Sequence, residues 1–319
     1  MIRIMRRLVI LAALVCSSPL DARPAPYVLQ PGHIDLARGP DGNTVILDAP
    51  DGLVVVDSGR HPEHSALILK QAGWVGKPVV ALVNTHWHLD HTTGNREVLA
   101  AWPRARLVAT GAAAGALDGF LKRSRAQSEA ALADPKLTVS QRAGILRAHA
   151  AMDDRAALVP SASVVADGPV TLGGRRFELR VARAAATEAD LWLLAPDEQL
   201  AVVGDLVVAP VPFFDTGCEE GWTRALDAIA AARWERLVPG HGAVMTRADF
   251  ARWRTAFASW LDCARSSRSA EDCAAGWERD AAGFFTEAER SSVRMMARYY
   301  VDEVLRAPPA QRMAYCRAG

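Results

Sequence analysis

The chain has 319 residues, half of them apolar, and its formal net charge at pH 7 is +1. A chain of this size and composition can bury a large core, so we expect a globular protein rather than a disordered one. The near-neutral charge offers no electrostatic surface for nucleic acid or an anionic membrane, and we predict neither as a partner.

The N-terminus has the pattern of a secretory signal. Residues 1–7 are basic, residues 8–15 are apolar, and cleavage is predicted after Ala22. The apolar run is too short to span a bilayer. Cys16 raises lipid attachment as an alternative, but the bulky Val15 before it favours soluble export. Removal of three arginines and one aspartate with the signal leaves 34 basic and 35 acidic groups, and we expect a periplasmic or secreted protein.

Apolar runs in the first third of the chain predict strands at residues 44–47, 53–56, 79–83 and 107–109, with an amphipathic helix at residues 62–72. The second run ends in Asp57-Ser58-Gly59, where the glycine permits a tight turn at the end of the strand. The histidines before the third run lack metal-ligand spacing, and we predict that they are surface or loop residues: His33, His61 and His64.

The third run leads into N-T-H-W-H-L-D-H at residues 84–91. Three imidazoles and a carboxylate fall within six positions: His86, His88, Asp90 and His91. Such a cluster is typical of a metal site, and this ligand set favours zinc, with manganese or iron as the usual competitors. Trp87 lies between two of these histidines, and alternation predicts that it points away from the metal and packs.

Residues 111–158 have the composition and periodicity of helices and form a predicted helical insert. An insert of this length is often a lid or a wall for substrate, and a plain helical excursion is the other interpretation. His149 is predicted to lie on a polar, exposed helix face.

Two further strands end in side chains that bind metals. Residues 200–203 lead into Gly204-Asp205, and residues 236–238 lead into Pro239-Gly240-His241-Gly242. The loop at residues 207–222 leaves Asp205 directly, so we expect it to overhang the metal site. Phe213 and Phe214 in this loop form either an apolar wall for substrate or a plug of the core.

Residues 246–319 are predicted to form a helical C-terminal extension, in which Trp253, Phe257 and Trp260 have core spacing. The exported chain keeps four cysteines, which allow two disulfides in an oxidising compartment. We expect the pairs Cys263–Cys273 and Cys218–Cys316. The alternative for Cys218, a metal ligand or a reactive thiol, is disfavoured because the metal cluster already has its ligands.

The motifs and their order resemble those of the metallo-β-lactamase superfamily: Asp57, then His86-x-His88-x-Asp90-His91, then Gly204-Asp205, then Pro-Gly-His241-Gly. The resemblance covers roughly residues 27–245 and implies an α/β fold, a four-layer αββα sandwich with one or two metal ions at the sheet edge. Between the predicted signal peptide at residues 1–22 and the helical extension at residues 246–319, we therefore predict a metallo-β-lactamase-like domain at residues 23–245.

The resemblance also implies a role for each motif residue. It assigns His86 and His88 to a first metal ion, and Asp90, His91 and His241 to a second. Asp205 bridges the two ions. Asp57 resembles the family's acid that orients ligands without binding metal.

The chain departs from the family at the third histidine of the first ion. That histidine lies in a segment resembling P-A-H-T-x-G-D-L, where residues 184–191 here read A-A-A-T-E-A-D-L. Ala186 takes its place, so we expect one tightly bound Zn²⁺ and a second that is weak or absent. Glu188 or His149 could replace the ligand, although nothing in the sequence directs either toward the metal.

The resemblance implies a zinc-dependent hydrolase in which metal-bound hydroxide attacks a small ester, thioester, lactone or lactam. Asp90 and Asp205 would orient the water and accept its proton. His88 replaces the glutamate of oxygen-reducing members, and Asp205 replaces the cysteine or serine of true lactamases, so neither activity is favoured. The alternative, which Ala186 supports, is a degenerate member that binds metal or ligand without turnover, as an accessory or partner-binding protein.

Overall fold

The computed structural model describes residues 27–32, 34–35 and 38–317, so the predicted signal peptide, with Cys16, and His33 lie outside the described residues. The strands are β1 (Tyr27–Gln30), β2 (Ile34–Asp35), β3 (Gly39–Pro40), β4 (Thr44–Ala49), β5 (Gly52–Val56), β6 (Val79–Val83), β7 (Arg106–Val108), β8 (Gly168–Leu172), β9 (Arg175–Arg183), β10 (Ala189–Ala195), β11 (Leu200–Val208), β12 (Arg236–His241) and β13 (Met245–Thr246).

The helices are α1 (Pro62–Val75), α2 (Leu89–Thr92), α3 (Asn95–Ala101), α4 (Ala112–Asp118), α5 (Phe120–Ala131), α6 (Val139–Asp153), α7 (Arg155–Leu158), α8 (Glu219–Ala231), α9 (Arg247–Arg265), α10 (Ala270–Asp280) and α11 (Arg290–Tyr299). A π-helical segment, Tyr300–Leu305, continues α11. Short 3-10 turns lie at Pro196–Glu198, Ala282–Phe284, Glu287–Glu289, Pro309–Gln311 and Ala314–Arg317.

Two sheets form the centre of the fold. The first has the strand order β1-β4-β5-β6-β7, in which β5, β6 and β7 are parallel neighbours. The second has the order β13-β12-β11-β10-β9-β8, in which β11 and β12 are the parallel pair. Parallel neighbours end at the same edge of a sheet, so β5 with β6, and β11 with β12, bring their carboxyl ends together.

The alternation of side chains along the strands creates the layers. In β4, Val45 and Leu47 face the second sheet and share a core with Phe177 of β9, while Ile46 faces outward and packs with Ile68 of α1. Beyond the second sheet, helices α8 to α10 bury a set of aromatic side chains: Trp222, Trp253, Phe257, Trp260 and Trp277. The order is helix, sheet, sheet, helix, and the predicted αββα sandwich is confirmed.

The two sheets are joined where the predicted motifs lie. The amide of Leu191 in β10 donates to the carbonyl of Thr85, which follows β6, with an N–O distance of 2.6 Å. Gly204 in β11 has φ 52°, and a Cβ atom there would collide with the Thr85 side chain. A glycine at this position therefore allows the end of β6 to approach the strand that carries Asp205.

Helices α4 to α7 form the predicted insert between β7 and β8. Arg147 of α6 fastens the insert to the first sheet's helices, since its guanidinium donates to Glu97 Oε2 at 3.0 Å and to the Arg60 carbonyl at 2.8 Å. None of the described helices is long and apolar enough to cross a membrane.

Both predicted disulfides are confirmed. Cys263 in α9 is bonded to Cys273 in α10, with the Cα atoms 5.5 Å apart. Cys218 at the start of α8 is bonded to Cys316 in the C-terminal tail, with a Cα separation of 5.3 Å. The second bond ties the tail to the loop that leaves Asp205.

Candidate metal centre

His86, His88 and Asp205 meet at the joint between the sheets. Nε2 of His86 lies 3.5 Å from Oδ2 of Asp205, and Nδ1 of His88 lies 3.7 Å from the same oxygen. All three side chains are buried. Because β6 delivers the two histidines and β11 delivers the aspartate, this group depends on the close approach of the two sheets.

A second group adjoins the first. Nε2 of His241 lies 3.1 Å from Oδ2 of Asp90 and 3.5 Å from Oδ1 of Asp205. Nε2 of His91 lies 3.1 Å from Oδ1 of Asp205 and 3.2 Å from Nε2 of His241. The structure thus brings all six residues that the sequence singled out as metal ligands into one buried cluster.

The donor atoms of this cluster fit a metal ion. His86, His91 and Asp205 form one group whose ligand atoms lie within 4.8 Å of one another, and Asp90, His91 and His241 form another. Six buried side-chain atoms of the described residues have no hydrogen-bond partner, and two of them lie in this cluster: Nε2 of His86 and Oδ1 of Asp205. Buried polar atoms normally have partners, and imidazole with carboxylate is a donor set that suits zinc.

Electrostatics leave both carboxylates of the cluster ionised. Burial raises the pKa of Asp205, but the nearby imidazoles of His91, His241 and His86 outweigh it and hold the pKa well below its usual range. At Asp90, burial likewise raises the pKa, but the hydrogen bond to His241 and the charges of His91 and Arg60 outweigh it and lower the pKa. Ionised carboxylates among imidazoles attract a cation.

The histidines differ in their protonation. Burial, with the charge of His86, lowers the pKa of His88. Burial also opposes the charged form of His91, but the carboxylates of Asp205 and Asp57 outweigh it and raise the pKa of His91 well above its usual value. A proton on His91 therefore competes with any metal, since a metal ligand must be unprotonated.

Asp57 occupies the place that the sequence indicated. Its Oδ2 lies 2.8 Å from Nδ1 of His91, and it accepts hydrogen bonds from the amide and the hydroxyl of Thr85, at 2.8 Å and 2.7 Å. The Thr85 hydroxyl also lies 3.0 Å from Nδ1 of His86. These contacts orient both imidazoles with their Nε2 atoms toward the cluster.

Ala186 is buried and contributes no ligand atom. Glu188 is exposed and points to the insert, where its carboxylate lies near Gly115. Nε2 of His149 lies 2.8 Å from the hydroxyl of Ser128 within the insert. Neither of the two conceivable replacement ligands reaches the cluster.

His64, predicted to be a surface or loop residue, and His149, predicted to lie on an exposed helix face, are both buried in helices, so both predictions are wrong. His61 lies in the loop before α1, which the prediction allowed, but it is also buried. Nδ1 of His61 lies 2.7 Å from Oδ2 of Asp41, and Nε2 of His64 lies 2.8 Å from the Thr44 hydroxyl. Each imidazole has a polar partner from a distant part of the chain, which allows burial that its local sequence does not indicate.

The aromatic residues near the cluster have separate roles. Trp87 points away from it and packs with the insert, as predicted, with its ring 5.6 Å from Phe120. Phe214 is buried in the aromatic core, 4.9 Å from the ring of Trp222. Phe213 is half-buried, with its ring centroid 5.3 Å from that of His88. Phe214 thus plugs the core, whereas Phe213 packs at the edge of the same core, and its role as a wall for substrate stays a prediction.

The structure adds residues that the sequence did not single out. The Asn43 side chain donates to the carbonyls of Pro239 and Gly242, both at 2.9 Å, and so holds the loop around His241. A guanidinium nitrogen of Arg60 lies 3.8 Å from Asp90 Oδ1. The Thr216 hydroxyl lies 2.9 Å from His88 Nε2. Each contact spans distant positions, so no local spacing could have indicated it.

Comparisons with known proteins agree with this arrangement. A sequence model described as the metallo-beta-lactamase superfamily matches residues 37–241. Over 91 residues the chain is 33% identical to a hydroxyacylglutathione hydrolase of Synechococcus sp. (strain JA-2-3B'a(2-13)), which is 28% of this chain and 31% of that protein. Over 50 residues it is 38% identical to a linear primary-alkylsulfatase of Pseudomonas sp. (strain ATCC 19151), which is 15% of this chain and 10% of that protein.

Similar folds occur among solved structures. A metallo-beta-lactamase family protein from Thermus thermophilus superposes with a TM-score of 0.57 over 87% of this chain and 94% of that one, at 14% sequence identity. At this identity the likeness concerns the fold alone.

Proposed function

The chain belongs to the metallo-β-lactamase superfamily, and we propose that it is an exported zinc-dependent hydrolase of a small ester, thioester, lactone or lactam. One observation carries the proposal: two adjoining groups of buried ligand atoms share His91, and two of these atoms lack hydrogen-bond partners. In this proposal His86, His88 and Asp205 hold one zinc ion. Asp90, His91, Asp205 and His241 hold the other.

Bound zinc supplies Lewis-acid chemistry, polarising an acyl oxygen and making water a nucleophile near neutral pH. The protein supplies the proton acceptors, because Asp90 and Asp205 stay ionised and can orient an attacking water and take its proton. Arg60 stands beside Asp90 and balances part of the negative charge. Phe213 offers an apolar surface against His88.

A cavity of about 380 Å³ lies between the insert and the C-terminal tail, lined by Trp87, Phe120 and Arg123 with Glu188 and Tyr315. Trp87 stands between this cavity and His88, since its ring lies 4.7 Å from that of His88. None of the six proposed ligands lines the cavity, so the role of the insert as a wall for substrate stays a prediction.

Export is supported by the two disulfides, which are typical of oxidising compartments. The thioester within the proposed substrate class is supported by the relative named hydroxyacylglutathione hydrolase. The relative named alkylsulfatase adds sulfate esters to the compounds to be assayed.

The test uses the mature chain purified from a periplasm and loaded with zinc. It is assayed with a nitrophenyl ester, an acylglutathione, an acyl lactone, nitrocefin and an alkyl sulfate. Turnover that is lost in Asp205→Ala, but retained in Asp227→Ala on the exposed face of α8, supports the hydrolase. If the chain binds zinc but turns over none of these compounds, the alternative of a degenerate family member is favoured. The alanine at position 186, where the family has a histidine, supports that alternative.

A further inference from the structure

His88 is held by a chain of hydrogen bonds that determines its tautomer. Nε2 of His88 lies 2.9 Å from the Thr216 hydroxyl, and that hydroxyl donates to the carbonyl of Ala186, also at 2.9 Å. A hydroxyl has one proton to donate, so Thr216 accepts its second hydrogen bond from the Nε2–H of His88. The neutral imidazole then presents an unprotonated Nδ1 on the side of Asp205.

Thr216 in turn is held by the C-terminal tail. The Tyr315 hydroxyl donates to the carbonyl of Thr216 at 2.8 Å. Cys316, the next residue, is bonded to Cys218, which lies two positions after Thr216. The amide of Cys218 donates to the carbonyl of Ala185 at 2.8 Å. Thr216 is fully buried, so the tail, the loop and the segment around Ala186 form one packed unit.

This unit lies at the place where the chain lacks a ligand. With alanine at position 186, His86 and His88 are the imidazoles that the proposed centre assigns to the first zinc ion. The orientation of each remaining imidazole then has a larger effect on affinity. The loss of a hydrogen-bond partner that orients a metal-binding histidine typically lowers affinity by about 10–100-fold.

We propose that Thr216 is a positioning residue for His88, and that Tyr315 and the Cys218–Cys316 disulfide keep Thr216 in place. The C-terminal tail thereby controls zinc affinity at the group formed by His86, His88 and Asp205. The inference rests on the proposed metal centre. It extends that centre to residues that bind no metal: Thr216 and Cys218 in the loop before α8, and Tyr315 and Cys316 in the last turn of the described chain.

The test measures zinc affinity of the mature chain by competition with a chromophoric chelator. Thr216→Val keeps the shape of the side chain and removes the hydroxyl, so we expect the weaker zinc to bind about 10–100-fold less tightly. Thr216→Ser keeps the hydroxyl and should restore affinity to near the wild-type value. Tyr315→Phe and the double variant Cys218→Ser/Cys316→Ser should weaken the same zinc, while the tighter zinc changes little.

The other disulfide supplies the control. Cys263→Ser/Cys273→Ser removes a bond between α9 and α10 and should leave both zinc affinities unchanged, with thermal melts showing that each variant is folded. If Thr216→Val binds both zinc ions like the wild type, the inference is wrong, although the proposed metal centre is unaffected. A wild-type chain that binds no zinc would instead overturn the proposed function itself. If both double variants bind the weaker zinc equally less tightly, the effect comes from general stability, and the inference is also rejected.

Discussion

The Nε2 atoms of His91 and His241 lie 3.2 Å apart, although the two residues are separated by 150 positions in the chain. At this distance a proton on one Nε2 can be donated to the other, and the carboxylates of Asp90 and Asp205 lie within 3.5 Å of His241 Nε2. The ligand atoms of Asp90, His91 and His241 lie within 4.8 Å of one another and could hold one cation. Protons and a metal ion therefore compete for the ligand atoms of this group, so its affinity for the metal depends on pH.

The two zinc ions should bind with unequal affinity. The group around His91 and His241 has a full set of protein ligands, whereas Ala186 leaves the group around His86 one imidazole short. We expect about one tightly held zinc per chain, and a second only at excess metal. Elemental analysis after exhaustive dialysis checks this, and two zinc ions retained per chain would contradict it.

Removal of the shared carboxylate should have a much larger effect than removal of the insert's histidine. Asp205→Ala takes a ligand from both groups, so we expect loss of hydrolysis and of tight zinc binding. His149→Ala removes a buried imidazole and its hydrogen bond to Ser128 within the insert, away from the cluster, so activity should change little. Steady-state kinetics and zinc titration of both variants give the comparison. A large loss of zinc in His149→Ala would show that the insert supplies a ligand.

Ala186→His should restore the missing imidazole. The affinity for the second zinc ion is expected to rise, because a third neutral ligand adds to His86 and His88. The residue is buried, so the larger side chain can overpack its surroundings and cost about 1–3 kcal/mol of stability. Isothermal titration with zinc measures the gain, with Ala185→His, also buried, as a neighbouring control. An unchanged second affinity would show that a histidine at position 186 does not reach the metal.

Asp190 should make stability fall as the pH rises through neutrality. Burial raises the pKa of Asp190 to about 7, against the reference value of 3.8, and its hydrogen bonds from Thr187 only partly offset this. Between these values the folded state binds more protons than the unfolded state. The stability that the protonated group contributes is complete below about pH 4 and is lost as the pH rises through about 7.

Asp190→Asn removes this titration, so its stability relative to wild type should increase from pH 5 to pH 8. Between these two pH values a shift of this size corresponds to at most about 3 kcal/mol. Urea unfolding of chelator-treated protein at both pH values measures the difference, and Asp262→Asn on the exposed face of α9 serves as control. If the wild type and Asp190→Asn show parallel pH profiles, Asp190 is already ionised in the folded protein.

Local sequence was sufficient to indicate the metal cluster and the disulfides. Residues 86–91 hold four potential ligands within six positions, and short spacing limits where their side chains can point. The strands at residues 53–56 and 200–203 end in an acid beside a glycine, a pattern that marks the edge of a sheet whatever the rest of the fold. The sequence also indicated the missing histidine at Ala186, because the type of residue at a position is read directly from the sequence.

Tertiary structure decided what holds these groups in place. Thr216 meets His88 across 128 positions, and Asn43 reaches Pro239 across 196. His61 and His64 are buried because Asp41 and Thr44 supply partners. Phe214 is buried within the aromatic core, while Phe213 packs at its edge and is only partly buried. Such contacts arise when packing brings distant segments together, and neither periodicity nor spacing along the chain encodes the partner. The sequence by itself therefore indicated the metal-binding residues, while the packing of the chain determined which other side chains orient them.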